Sequence, residues 1–246
     1  TGNPILVKSY MKSRPSFPHT MVNMVRIKNV NSHLKVMPVK HSLLLSLGYR
    51  LARTVNDIRN TFDNRKPNIG FDILGIDRFG EDIEALWESV SGHYDFVVER
   101  QRDYLNWRFC DQRGGEFVVK LAKEGEEPLG YAALCVNRYL DDYPIGYVVD
   151  LLTLPERIDA ADALVRDAVN FFDDAGVNIV NYLTVKGHPY QDVFRRRGFL
   201  DSRVKIHLFY NTYSEVEGLN EITESPPERI FFSWGDLDVL PVGFPE

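Results

Sequence analysis

Between Gly146 and Phe199 the chain reads as strand, helix, strand, helix, and few folds accommodate that order. GYVVDLLTLP is an almost unbroken apolar run. Such a run fits a strand covered on both faces, which places it in the middle of a sheet. From Ile158 the apolar positions are Ile158, Ala161, Leu164, Val165, Ala168, Phe171, Phe172 and Ala175, a three-to-four spacing that makes one helical stripe. Gly176 stops that helix by taking the left-handed conformation. VNIVNYLTV follows as a second strand and GHPYQDVFRRRGF as a second helix. A strand carried through a packed helix into another strand implies a crossover unit. The helix start around Pro155 to Ala161 is a natural place to hold a phosphate.

Upstream, IGFDILGI has strand composition, and Asp77 is placed to cap a helix whose buried stripe is Phe79, Ile83, Leu86, Trp87 and Val90 and which Gly92 ends. RQRDYLNWRF predicts a short helix with Tyr104, Trp107 and Arg108 on one face. EFVVKLA and LGYAALCVN flank the polar turn KEGEEP, a hairpin signal. Beyond the crossover, LDSRVKIHLFYNTY reads as a long strand and RIFFSWGDLDVL as a last one. The order from residue 69 is therefore β-α-α-β-β-β-α-β-α-β-β, an α/β (α+β) class with a mixed, mostly antiparallel twisted sheet and flanking helices. Residues 67–246 make this domain. Residues 1–66 form a separate basic segment, with short strands at PILVKSYM and MVRIKNV and an amphipathic helix from Ser42 to about Phe62.

The net charge of -6 conceals a division: residues 1–66 carry 12 Lys+Arg and only Asp57 and Asp63, so they hold +10 and the rest -16. These basic residues are dispersed and no nucleic-acid-binding motif interleaves them, so nucleic acid is not the expected partner. Docking on the acidic remainder of the chain, as tandem-domain or dimer packing, is. No apolar run approaches the roughly 18 residues of a membrane span, and no secretory signal is visible. Cys110 and Cys135 make neither a disulfide framework nor a metal cluster, so a cytoplasmic protein without metal is expected.

The order of elements, with its crossover after the fourth strand and an R-R-R-G-F ending to the last helix, resembles the GNAT superfamily of acyl-CoA-dependent N-acyltransferases over about residues 69–240. In that family the strand matching V-D-L-L-T-L-P splays from its neighbour, and the pantetheine arm of acetyl-CoA lies in the gap. The resemblance implies acetyl-CoA as cosubstrate, an amine on a small molecule or peptide as acceptor, and backbone groups of Leu152, Thr153 and Leu154 along the pantetheine. The family's loop Arg/Gln-x-x-Gly-x-Gly/Ala holds the pyrophosphate. Here P-E-R-I-D-A-A-D-A has no glycine, which leaves Arg157, Ala160 and Ala161 for that task beside Asp159 and Asp162. In the family's Tyr-x-x-x-Gly-Phe ending the tyrosine lies near the leaving thiolate; here that position is Phe194, with Tyr190 or His188 as substitutes.

Asp150 is the remaining candidate for chemistry. A carboxylate in an apolar central strand needs a partner or takes a raised pKa, the state of a general base; the other reading makes it a structural partner of Arg108 or Tyr104. Y-L-N-W-R-F and S-W-G-D-L-D are also similar to acyltransferase-like proteins of which some carry two tandem GNAT units. Residues 1–66 would then be the last strand of a preceding unit plus a connecting helix, and the chain a C-terminal portion. Three functions are consistent with these residues: an acyl-CoA-dependent N-acyltransferase, a GNAT-fold scaffold module without catalysis, and an aminoacyl or peptidyl transferase of related fold.

Overall fold

The computed structural model describes residues 19–29, 32, 70–138, 142–206 and 219–237. PILVKSYM, the helix expected from Ser42 to Phe62 and the end of LDSRVKIHLFYNTY lie outside them. The elements in chain order are β1 (Met21–Ile27), β2 (Asp72–Ile76), α1 (Asp82–Ser91), α2 (Arg102–Leu105), which runs on into a π-helical turn at Asn106–Cys110, β3 (Val118–Glu124), β4 (Glu127–Asn137), β5 (Ile145–Thr153), α3 (Ile158–Asp174), β6 (Ile179–Val185), α4 (Tyr190–Arg196), β7 (Leu200–Ile206) and α5 (Leu219–Glu224).

One seven-stranded sheet holds them in the order β2-β3-β4-β5-β6-β1-β7. Its pairs are antiparallel except β5 with β6, which the crossover helix α3 makes parallel. Every residue of β5 is buried, in agreement with its unbroken apolar run. The stripe of α3 packs on β3, β4 and β5. Gly146 permits this approach, since a Cβ there would lie 2.7 Å from the Phe172 ring. Gly176 ends the helix at φ +69°.

Three expectations change. RIFFSWGDLDVL forms no strand among the described residues: Ile230 makes one isolated bridge to Phe96. Trp234–Asp236 closes into a 3-10 turn, capped by the Ser233 side chain from the Gly235 N–H and by Asp236 reaching back to the Ser233 N–H. The position between β6 and the following edge strand is filled instead by Met21–Ile27. Part of the basic segment is therefore inside the sheet, antiparallel to both neighbours. The cap of α1 also differs, being Glu81 rather than Asp77.

Candidate active site

The parallel pairing of β5 and β6 runs only from Ile145↔Ile179 to Val148↔Tyr182, although both strands continue. The reason lies one residue further on. Against β4, Asp150 faces Ala133 and Val148 faces Leu134, so Val149 is an extra residue, a β-bulge. Bulges increase local twist and end pairing. From Val149 onward β5 leaves β6 and a wedge opens between Val149–Thr153 and Leu183–Val185.

The bulge also aims Asp150. Gly146 faces Phe172 of α3, whereas Tyr147 faces the Trp234 ring at 6.0 Å on the other side of the sheet. By strict alternation Asp150 would share the side of Gly146. The extra residue turns it to the side of Trp234, where it is fully buried and accepts hydrogen bonds from Arg100 Nε (3.0 Å), the Tyr131 hydroxyl (2.7 Å) and the Ser233 hydroxyl (2.8 Å). Arg100 Nη2 donates to Asp236 (2.6 Å) and Nη1 to the Val98 carbonyl. Burial alone would lower the Arg100 guanidinium, but the charges of Asp150 and Asp236 outweigh it and hold its pKa well above the usual arginine value. Burial, reinforced by Asp150, raises Asp236.

The sequence paired Asp150 with Arg108 or Tyr104. Its cation is Arg100, while Arg108 donates to the Gly235 and Leu237 carbonyls. Both oxygens of Asp150 are thus committed, in a buried ionic tie.

At the end of the wedge, Tyr190 is brought to Thr153. Its hydroxyl accepts the Thr153 N–H at 2.9 Å and lies 3.0 Å from Thr153 Oγ1. Burial raises the pKa of Tyr190, which keeps the phenol protonated at neutral pH. Tyr94, His188 and Phe231 surround it in one aromatic cluster. His188 Nδ1 accepts the Tyr190 N–H, so the neutral ring carries its proton on Nε2, which is buried without a partner. Burial, helped by the charge of His93, lowers His188 to about 4. Phe194 stands apart from this cluster, stacked on Tyr182 at 3.7 Å and edge-on to Phe199.

The start of α3, expected to hold a pyrophosphate, carries an ion-pair cluster of the chain's own. Arg157 binds Asp159 through Nε and Nη2 and Glu124 through Nη1. Arg157 first, and then the N–H groups of Ala160 and of Asp159 itself, hold the Asp159 carboxyl below its usual range. The carboxylate of Asp159 thus lies at the helix start, paired with Arg157. The N–H groups of Ala160 and Ala161 are directed at the Arg157 carbonyl, and both side chains are buried. Asp162 pairs with Arg196 at the end of α4 and with Arg197 just beyond it, which ties α3 to α4. Leu154 gives its N–H to the Leu129 carbonyl of β4, so of Thr153 and Leu154 only Thr153 turns its N–H toward the wedge.

Sequence reasoning did not single out Tyr94, Arg100, Tyr131 or Ser233. Only S-W-G-D-L-D carried a signal, as a motif around Ser233 and Asp236. Among the described residues no His/Cys/Asp/Glu group could hold a metal, and no helix is long and apolar enough to cross a membrane.

No protein-family model and no curated protein matches the sequence. Solved structures do match. Saccharomyces cerevisiae N-myristoyltransferase with bound myristoyl-CoA and inhibitors aligns at TM-score 0.51 and 14% identity, over 80% of this chain and 49% of the enzyme. A conserved protein of unknown function from Staphylococcus epidermidis aligns at 0.44 and 11%, over 82% and 65%. A soil-metagenome aminoglycoside acetyltransferase in complex with trehalose aligns at 0.42 and 18%, over 59% and 98%. The chain thus spans about half the length of the yeast enzyme and about two thirds of the staphylococcal protein. At such identity the likeness to the yeast enzyme is one of fold alone: the chain has a GNAT-like fold, a mostly antiparallel sheet flanked by helices.

Proposed function

We propose that this protein is an N-acyltransferase that moves an acetyl or other acyl group from a CoA thioester to an amine. The observation that carries this is the wedge opened by the Val149 bulge, with a strand N–H (Thr153) and a phenol hydroxyl (Tyr190) meeting at its end. Acyl transfer needs a donor for the developing oxyanion and an acid for the leaving thiolate. The phenol of Tyr190, whose oxygen holds the Thr153 N–H, supplies the second and is restored by the proton that the amine gives up as the C–N bond forms and the C–S bond breaks, with the backbone of Leu152 to Leu154 beside the arm of the cosubstrate. The committed oxygens of Asp150 argue that it fixes this end of β5 and takes no proton from the amine.

A scaffold module is the second reading, and Asp159 favours it, because a carboxylate on the α3 amides repels a diphosphate. Calorimetric titration with acetyl-CoA separates the two. Binding by the unaltered protein supports the acyltransferase. Binding only by Asp159→Gly, which frees Arg157 and the amides, assigns the module. Absence of binding by both at millimolar acetyl-CoA overturns the acyltransferase reading.

A further inference from the structure

A cleft of about 600 Å³ lies between the π-helical turn and the Trp234–Asp236 turn, a size suited to a small molecule. Its wall is aromatic: Trp107 is 61% exposed and meets Tyr104 at 5.8 Å and 51°. Two tilted rings of this kind accept a flat apolar group against them. Arg108, Asp111 and Arg113 complete the wall, and Gly235 and Asp236 form the floor. A Cβ on Gly235 would stand 3.4 Å from the Cβ of Asp150, so the floor rests directly on β5 next to the bulge.

Charge and hydrogen bonding in the lining decide what can bind. Every carboxylate oxygen there is taken. Asp236, whose side chain is fully buried, accepts Arg100 at one oxygen and Ser233 at the other. Asp111 accepts Arg113 Nε at both oxygens and Arg113 Nη2 at one. That pairing holds the Asp111 carboxyl down at about 2, so the two persist as a neutral unit. Arg108 has no such counter-ion. It is half-buried and fixed through Nε to the Gly235 carbonyl and through Nη2 to the Leu237 carbonyl, 5.6 and 5.7 Å from the Phe109 and Phe117 ring centres. Carbonyls and rings set its orientation without cancelling its charge. Asp150, the partner suggested by the sequence, is bound to Arg100 instead, and among the described residues no carboxylate pairs with Arg108. Its Nη1 group has no partner among them, and the Nη1 of Arg113 is likewise left over beyond the Asp111 pair. The lining therefore holds one guanidinium charge in excess, with charged donors left over and no carboxylate oxygen to meet them. A half-buried cation of this kind is satisfied by an anion.

We infer that this cleft binds a monoanionic carboxylate carried on a flat apolar group, with the carboxylate at Arg108 Nη1 and the apolar group along Trp107. A carboxylate matches the single excess charge, whereas a phosphate monoester, at close to two negative charges, exceeds it. The site does not depend on the proposed acyl transfer.

Calorimetric titration of the full chain with phenylacetate, with no acyl donor present, tests the site. The expected result is a millimolar or tighter complex, about tenfold weaker for the uncharged 2-phenylethanol and no tighter than that for the cation phenethylamine. Trp107→Ala is expected to weaken phenylacetate about tenfold. Trp107 is exposed, so its replacement leaves the fold intact, and circular dichroism checks this. Arg108→Gln, folded by the same measure, is expected to bind acid and alcohol alike. If that variant does not fold, salt takes its place: about 0.5 M sodium chloride weakens phenylacetate severalfold and leaves the alcohol unchanged. Equal binding of acid and amine, equal binding by Trp107→Ala, an acid preference that survives Arg108→Gln or high salt, or no binding at about 20 mM phenylacetate overturns the assignment. A response to acetyl-CoA without binding of phenylacetate removes this site and leaves the acyltransferase reading standing.

Discussion

Two groups of the same charge pattern flank the β5–α3 unit: Asp150–Arg100–Asp236 within the protein and Asp159–Arg157–Glu124 at its surface. Each places one guanidinium between two carboxylates. In the first the side chains are at most 1% exposed; in the second they are 22%, 53% and 51% exposed for Arg157, Asp159 and Glu124. Water solvates the outer charges whether or not they are paired, so their pairing contributes little. The inner charges have no such alternative, and each must find its partner within the protein. Identical chemistry therefore becomes a structural tie in one place and an adjustable surface cluster in the other. The inner tie holds the cleft floor, the C-terminal turn and the bulged strand together. The outer cluster sits where a diphosphate would otherwise bind.

The sharpest test removes the shared cation from each group. Arg100→Met leaves two buried carboxylates unpaired and is expected to cost about 3–5 kcal/mol in urea unfolding, whereas Arg157→Met costs under about 1 kcal/mol. Equal losses would break the contrast.

A second test uses acid. His188 is buried and its folded pKa is about 4, below the roughly 6.5 of an unfolded histidine. Between those values the unfolded chain binds the proton and the folded one does not. Stability is therefore expected to fall as pH drops from 6.5 to 4, by roughly 2–4 kcal/mol in all, and His188→Gln should flatten that part of the profile. A profile unchanged by the substitution would place the acid sensitivity elsewhere than His188.

Smaller effects sharpen the division within the wedge. Tyr190→Phe leaves the buried Thr153 N–H without its acceptor, an expected cost of about 1–3 kcal/mol by chemical denaturation, together with loss of acyl transfer. The least effect belongs to Asp159→Asn. Loss of the carboxylate at the start of α3 is expected to cost at most about 1 kcal/mol, while affinity for pyrophosphate rises. A fall in pyrophosphate affinity would show that Asp159 does not occupy the anion position.

Much of the architecture was legible because burial repeats locally. The apolar run of β5, the stripe of α3, the Gly176 stop and the Gly125 hairpin each follow from residues within one element and its ends. The last strand was misread for an equally local reason. RIFFSW has strand composition, but its hydrogen bonds go to Phe96 and to a capped turn. The site was less legible because its meaning depends on partners remote in sequence. Asp150 is identifiable as an anomaly in an apolar strand, but Arg100, Tyr131 and Ser233 lie 50, 19 and 83 residues away.

By itself, the sequence determined the crossover unit, the hairpin and the presence of one carboxylate that had to be paired, since side-chain periodicity follows directly from the geometry of helix and strand. Only the tertiary structure decided that Met21–Ile27 fills the place between β6 and β7, that Val149 bulges and so turns Asp150 toward Arg100, and that Asp159 closes the start of α3. A bulge changes parity by one residue without leaving a compositional mark, and a charge selects its counter-ion by distance in space.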